Sequence, residues 1–299
     1  MKTNRKKGRR VQRAWAAAML AFAAVAAKPA MAIDVDAGDY TALPAGTNLG
    51  LLYYQHVERD RIYAGGHQVS GGSLDSDVGI ARYVHYMKLG NFTVDPQFLL
   101  PFGTLRGRNN LSALGNTTGV GDLILAATVW VYNDPGSHRY LGITPFIYVP
   151  TGSYNGNRAL NLGENRWKFA LQAGYITPLV DRFTLDLVGD VTVFGHNTDF
   201  TAAHATMTED PLVQMQAWLR YNVTDTFDVR AGLSYSMGGL THVNGVSQGD
   251  RVNTSKFSVG FAWFPAKTWQ VLGTYGNDIS VHNGPMESTR VNLRVMKIF

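Results

Sequence analysis

The chain has 299 residues, 45% hydrophobic and 16% charged, with 27 Lys and Arg against 22 Asp and Glu and no Cys. The missing cysteines exclude disulfide scaffolds, thiolate metal clusters, thiol catalysis and a lipidated cysteine anchor. No apolar run of 18 or more residues occurs beyond the first few dozen positions, which excludes a bundle of membrane-spanning helices.

The formal net charge of +5 would suit a nucleic-acid partner, but its origin argues for none. Residues 1–32 hold eight basic residues and no acidic one, so the remainder has 19 basic against 22 acidic residues, a net −3. The segment reads as a secretory signal peptide: a basic start through Arg13, an apolar stretch from Ala14 to Ala27, and the small-x-small site Ala30-Met31-Ala32. The mature chain is expected to start at Ile33, with 33–46 as a periplasmic N-terminal segment ahead of a β-barrel over 47–299.

From residue 47 onward the apolar period is two, which predicts strands. In chain order they fall at 47–57, 77–87, 91–102, 120–133, 139–150, 165–177, 182–195, 211–223, 226–238, 254–264, 268–278 and 288–299. Across five of these strands, from Trp167 to Trp263, 26 odd-numbered positions carry no charged or amide side chain. The intervening even positions include Lys168, Asp186, Asp190, Arg220, Asp228 and Arg230. Runs of this length approach the roughly nine to eleven residues that a tilted strand needs to cross a bilayer. Aromatics close the apolar face at both ends, as Trp167 and Tyr175 or Phe257 and Trp263 do, like girdles at two interfaces. The expected fold class is therefore all-β, a closed antiparallel transmembrane barrel of twelve strands with outer-membrane lipid as its solvent.

The connections alternate long and short without exception, from 58–76 (long) and 88–90 (short) to 265–267 (short) and 279–287 (long). Such alternation is expected of a bacterial barrel with both termini in the periplasm. Tight reversals are readable at Lys88-Leu89-Gly90-Asn91, Asn133-Asp134-Pro135-Gly136 and Thr224-Asp225. All four glutamates, Glu58, Glu164, Glu209 and Glu287, fall in or beside the expected outer loops. An open sheet edge in hydrocarbon would leave backbone groups unpaired, so the last strand should pair with the first. The chain ends on Phe299, with Val295, Leu293 and Val291 on the same face. This end resembles the signal read by the barrel assembly machinery, although Lys297 on that face departs from it.

The mature chain is similar to a family of outer-membrane proteins assigned to a MetA pathway of phenol degradation. The resemblance rests on Pro96-Gln97-Phe98 through Pro101-Phe102-Gly103, Gly119-Val120-Gly121-Asp122-Leu123, Val149-Pro150-Thr151-Gly152-Ser153-Tyr154, Asn161 through Trp167, Gly189-Asp190-Val191 with Asn197-Thr198-Asp199, and Gly238-Gly239 with Asn244-Gly245. It implies passage of aromatic or other hydrophobic solutes through the outer membrane, and it supplies no catalytic or ligand residue.

The charged even positions are candidates to line the lumen, either pinning the barrel or facing a solute. Three cations against three anions argue against a strong preference for one ion sign. Parity places Arg220 opposite Asp228 or Arg230 across the turn at Thr224-Asp225, and pairing with Asp228 is the favourable choice. Pro96 and Pro145 each remove a ladder donor, marking either a plain bulge or a lateral opening. Of the eight histidines, His56, His67, His196, His204, His242 and His282 lie in or beside outer loops without an i, i+4 ligand pair on a helix, and no cofactor motif occurs, so no metal or cofactor is expected. An outer-membrane lipid hydrolase would need a serine with a histidine on the lipid face, and the 26 outward positions contain neither. The reading is a non-enzymatic channel for small hydrophobic, aromatic solutes. The alternative is a structural or loop-binding barrel with a closed lumen.

Overall fold

The computed structural model describes residues 34–70 and 72–299. The signal peptide inferred for 1–32 lies outside the described residues. Twelve long strands form the wall: β1 (Asn48–Ala64), β2 (Ser73–His85), β3 (Phe92–Arg108), β4 (Leu123–Asp134), β5 (Arg139–Val149) and β6 (Lys168–Pro178) are followed by β7 (Phe183–Phe194), β8 (Leu212–Thr224), β9 (Phe227–Gly238), β10 (Val252–Ala266), β11 (Trp269–Val281) and β12 (Gly284–Ile298). Each pairs antiparallel with its neighbour in sequence, and β12 closes on β1 from Leu49 opposite Ile298 to Tyr63 opposite Gly284. Closure leaves no free edge, which a wall in lipid requires.

Every expected strand is present, and the main difference lies at the outer ends. β1, β3 and β12 run well past the expected boundaries, so the connection expected at 58–76 shrinks to 65–72 and that at 279–287 to a turn at His282 and Asn283. In water a hairpin still gains from pairing its backbone, so nothing forces the ladder to stop at the membrane surface. Consequently Glu58 and Glu287 stand on β1 and β12 rather than in loops. Above the barrel, loops 195–211 and 239–251 contribute a small four-stranded sheet (Asn197–Phe200, Ala205–Glu209, Thr241–Val243, Val246–Ser247) around Phe200, Met207 and Val243.

The parity reading holds around the wall. Leu171, Leu187, Leu219, Leu233 and Val259 are exposed on the outer surface, while Lys168, Gln172, Asp186, Asp190, Gln216 and Arg230 are buried inside. The outer wall carries aromatic contacts near its lower rim, with Phe183 and Tyr221 rings 4.9 Å apart and Phe227 and Phe261 rings 6.1 Å apart.

The segment expected in the periplasm instead lies inside the barrel. Val35, Tyr40 and Ala42 pack with Leu51, Val84, Trp130, Ile176 and Val188 in the principal apolar cluster. The indole N–H groups of Trp130 and Trp218 donate to the carbonyls of Tyr40 (2.9 Å) and Val35 (3.1 Å). A barrel this wide leaves buried lumen surface that needs partners, and a strap with alternating acidic and apolar side chains supplies both kinds. The segment leaves at the periplasmic rim, where Gly46 N–H donates to the Tyr86 carbonyl at 2.7 Å.

Candidate functional site: a strapped lumen and its cavity

The three aspartates of the strap meet a basic stripe that the sequence did not reveal as a unit. Asp34 accepts from Arg290 at 2.5 Å and Gln214 at 2.7 Å. Arg294 donates to Asp36 at 2.9 Å and to Asp39 at 2.7 Å, and Arg82 donates to Asp39 at 3.0 Å. Glu287, almost completely buried, gathers Arg59 (2.9 Å), Arg290 (2.8 Å) and Lys256 (3.2 Å). Arg82 lies on β2, Lys256 on β10, and Arg290 and Arg294 on β12, and only closure of β12 on β1 brings Arg82 to the others.

The six lumen candidates all face inward, but their partners differ from expectation. The β8–β9 ladder sets Arg220 opposite Arg230, not Asp228, which stands opposite Asn222 nearer the turn. Arg220 instead reaches Asp186 on the neighbouring strand β7 at 2.8 Å. Arg230 pairs with Asp228 on its own strand at 2.7 Å and donates to the Ala37 carbonyl at 2.8 Å. Asp186 also accepts the Gly38 N–H, so this cluster near the periplasmic end anchors the strap. Lys168 turns upward to Glu164 and lies 4.3 Å from the centre of the Tyr148 ring. Asp190 takes a 3.3 Å hydrogen bond from the Gln172 amide rather than a cation.

Above the strap the lumen holds a cavity of about 270 Å³ with two unlike sides. Leu99, Ile124 and Phe146 form an apolar wall on β3–β5, and Arg82, the ladder neighbour of Leu99, continues with Arg290 and Arg294 on β12 as a charged stretch of the lining beside it. A smaller cavity of about 20 Å³ lies between the strap and β8–β12. The cavity suits a compact solute with an apolar body, since an apolar void of about 150 Å³ already admits benzene.

At its outer end the cavity meets a latch built from motif residues. Asp122 accepts the N–H groups of Gly152 and Glu164, each at 2.9 Å. Gly152 and Gly163, both in the loop between β5 and β6, bring their backbones together so closely that a Cβ on either would come within 2.7 Å of the other's backbone. Glu164 accepts from Arg166 at 2.7 Å and from Lys168, and Arg166 also reaches Glu209 at 2.6 Å. Burial alone would raise the Glu164 pKa, but the charges of Lys168 and Arg166 outweigh it and hold the carboxyl below its ordinary value. Asp122, with backbone donors but no adjoining cation in contact, is pushed up by burial. Asn197 ties the latch to the loop sheet through the Tyr154 hydroxyl (2.9 Å) and the Glu164 carbonyl (3.1 Å).

Pro96 and Pro145 both face outward and flank the same residue. Pro96 stands opposite Ala127 in an unbroken β3–β4 ladder. On the β4–β5 side the ladder passes from Ala126–Phe146 to Val129–Ile143, omitting the pairs that Ala127 and Thr128 would form with Pro145 and Thr144. Pro145 lacks the N–H this pairing needs. Phe299 projects outward beside Gly50, and its backbone N–H donates to the Asn48 carbonyl at 2.9 Å, fastening the closing seam. Nδ1 of His85, on the outer face, lies 2.8 Å from Asn48. Among the described residues, no three His, Asp or Glu side chains converge as a metal-binding group.

A closed twelve-stranded barrel with an apolar outer wall and a charged lumen defines a protein of the outer-membrane channel type. The chain belongs to the family described as "Putative MetA-pathway of phenol degradation", which matches residues 59–295. It is similar to the COG4313 outer membrane channel from Pseudomonas putida F1, with 42% identity over 89% of this chain and 100% of that one, at a TM-score of 0.86. The β-domain of the Bordetella autotransporter BrkA shares the fold alone, at 10% identity and a TM-score of 0.53, covering 86% of this chain and 100% of that one. A search of curated proteins finds no match.

Proposed function

We propose that the protein is a passive, non-enzymatic channel of the bacterial outer membrane for small hydrophobic, aromatic solutes, reached by secretory export and insertion by the barrel assembly machinery. The two-sided cavity carries this reading: its apolar wall can hold a ring while the charged stretch beside it can keep water or polar substituents. Solutes would enter past the loop latch, rest against Leu99, Ile124 and Phe146, and leave either past the strap or sideways through the wall. The omitted pairs at Pro145 favour the sideways route, because that seam lies directly behind Phe146 and Thr144. The relative from Pseudomonas putida F1, itself described as a channel, supports the same class.

The strap favours a second reading, a structural or loop-binding barrel whose lumen stays closed. Uptake of a radiolabelled uncharged aromatic by intact cells, with and without the barrel, separates the two when a small charged solute serves as control. Faster entry of the aromatic alone is the expected result. Equal acceleration of both would indicate a general pore, and no change in either would leave the closed barrel.

A further inference from the structure

Tyr40 is bound by the lumen as a ligand would be. Its ring lies on Gly142 and Gly174, which stand directly opposite each other on β5 and β6. A Cβ on Gly174 would overlap the ring, and one on Gly142 would come within 2.7 Å of it. Two facing glycines in the middle of strands have no ladder role that favours them, but they create a flat floor on which an aromatic ring can rest. At the rim of this floor the Tyr40 hydroxyl donates to Oε1 of Gln172 at 3.0 Å and lies 2.9 Å from Oγ1 of Thr144. Thr144 is in turn fixed by Thr128 at 3.0 Å. Tyr40, Thr144 and Gln172 all line the 270 Å³ cavity, so the slot opens onto the space a solute would occupy.

We infer that this slot is a binding site for neutral monocyclic phenols and that Tyr40 fills it as a tethered stand-in. The inference rests on the reading of the barrel as an aromatic-solute channel and names the solute class and the lumen's own competitor. The floor selects a planar ring without bulky substituents. Gln172 offers an acceptor, so the hydroxyl must keep its proton, and a phenolate or an unhydroxylated ring lacks the donor that the site matches. A phenol that enters the slot displaces Tyr40, and with it the part of the strap that closes the cavity from below.

The test is equilibrium dialysis of radiolabelled phenol and radiolabelled toluene against the purified, detergent-solubilised mature barrel and its variants. A tether holds its ligand at an effective concentration in the millimolar range, so Tyr40→Ala is expected to bind phenol at least about tenfold more tightly than the natural chain. In the same variant toluene should bind several-fold more weakly than phenol, and adding Gly174→Val should abolish phenol binding by filling the slot. The inference is overturned if Tyr40→Ala gains no affinity, or if toluene binds it as well as phenol. Should Tyr40→Ala fail to assemble, Tyr40→Phe keeps the ring but loses both hydroxyl contacts. Phenol binding must then exceed that of the natural chain, and equal binding overturns the inference. Phenol bound by Tyr40→Ala without any barrel-dependent uptake would keep the site and remove the transport reading, whereas selective uptake without binding would do the reverse.

Discussion

Glu164 shows how a single side chain in this protein depends on its charged neighbours. Its carboxyl is buried, a position that ordinarily favours the neutral form, yet Lys168 and Arg166 keep it ionised. A carboxyl whose pKa falls on folding stabilises the fold fully above its unfolded value, here 4.5, and loses that contribution as the pH drops through the lower folded value. Protection of loop 150–167 against proteolysis should therefore be constant from neutral pH down to the ordinary glutamate range and decline below it. Glu164→Gln should lower protection at neutral pH, by about 3 kcal/mol if removing one partner leaves the cations uncompensated, and flatten the acid-dependent decline. Limited proteolysis across a pH series checks both. At this scale the sequence discloses which face a residue occupies but not its partner. Lys168, Arg220 and Arg230 were all readable as inward, whereas their ion pairs required the loop course and the register between neighbouring strands. Tyr40 gave no such sign, because the alternation of so short a segment outside the strands does not disclose what it packs against.

At the scale of the element, alternation located all twelve strands because a wall between lipid and water imposes opposite solvents on successive residues. Strand ends were less legible, since backbone pairing above the membrane continues without any change of side-chain pattern. The β4–β5 seam is the one place where the sequence marked a local weakness that the ladder then displays. Pro145→Val restores the missing donor and should close the omitted pairs, slowing amide exchange at Ala127 and stabilising the barrel by about 1 kcal/mol. If solutes leave through this seam, the same substitution should reduce uptake of an uncharged aromatic several-fold while leaving a small charged solute unaffected. Unchanged aromatic uptake alongside slowed exchange would discard the lateral route. Pro96 serves as the comparison, because its ladder is already continuous and Pro96→Val should alter neither measurement.

At the scale of the whole molecule, the strap decides the lumen's character. Asp34, Asp36 and Asp39 neutralise a stripe formed by Arg82, Lys256, Arg290 and Arg294. Replacing all three with Asn should release that positive charge and loosen the strap. Single barrels in a planar bilayer should then conduct more strongly than the natural protein, and their reversal potential in a salt gradient should move toward the value for anions. No change in either quantity would mean that apolar contacts of Val35, Tyr40 and Ala42 hold the strap without help from its charges.

The sequence by itself determined the barrel: the strand number, the inward and outward faces and the closing pair. These follow from local periodicity and from the rule that no backbone group can remain unpaired in lipid, both of which are written into every strand. Only the tertiary structure decided what the barrel contains. The contacts of Asp34 with Arg290 join residues 256 positions apart, and Tyr40 meets Gln172 across 132. Such meetings depend on strand stagger, bulges and the course of the strap through the lumen, so they arise when the sheet closes and are absent from any local stretch of the chain.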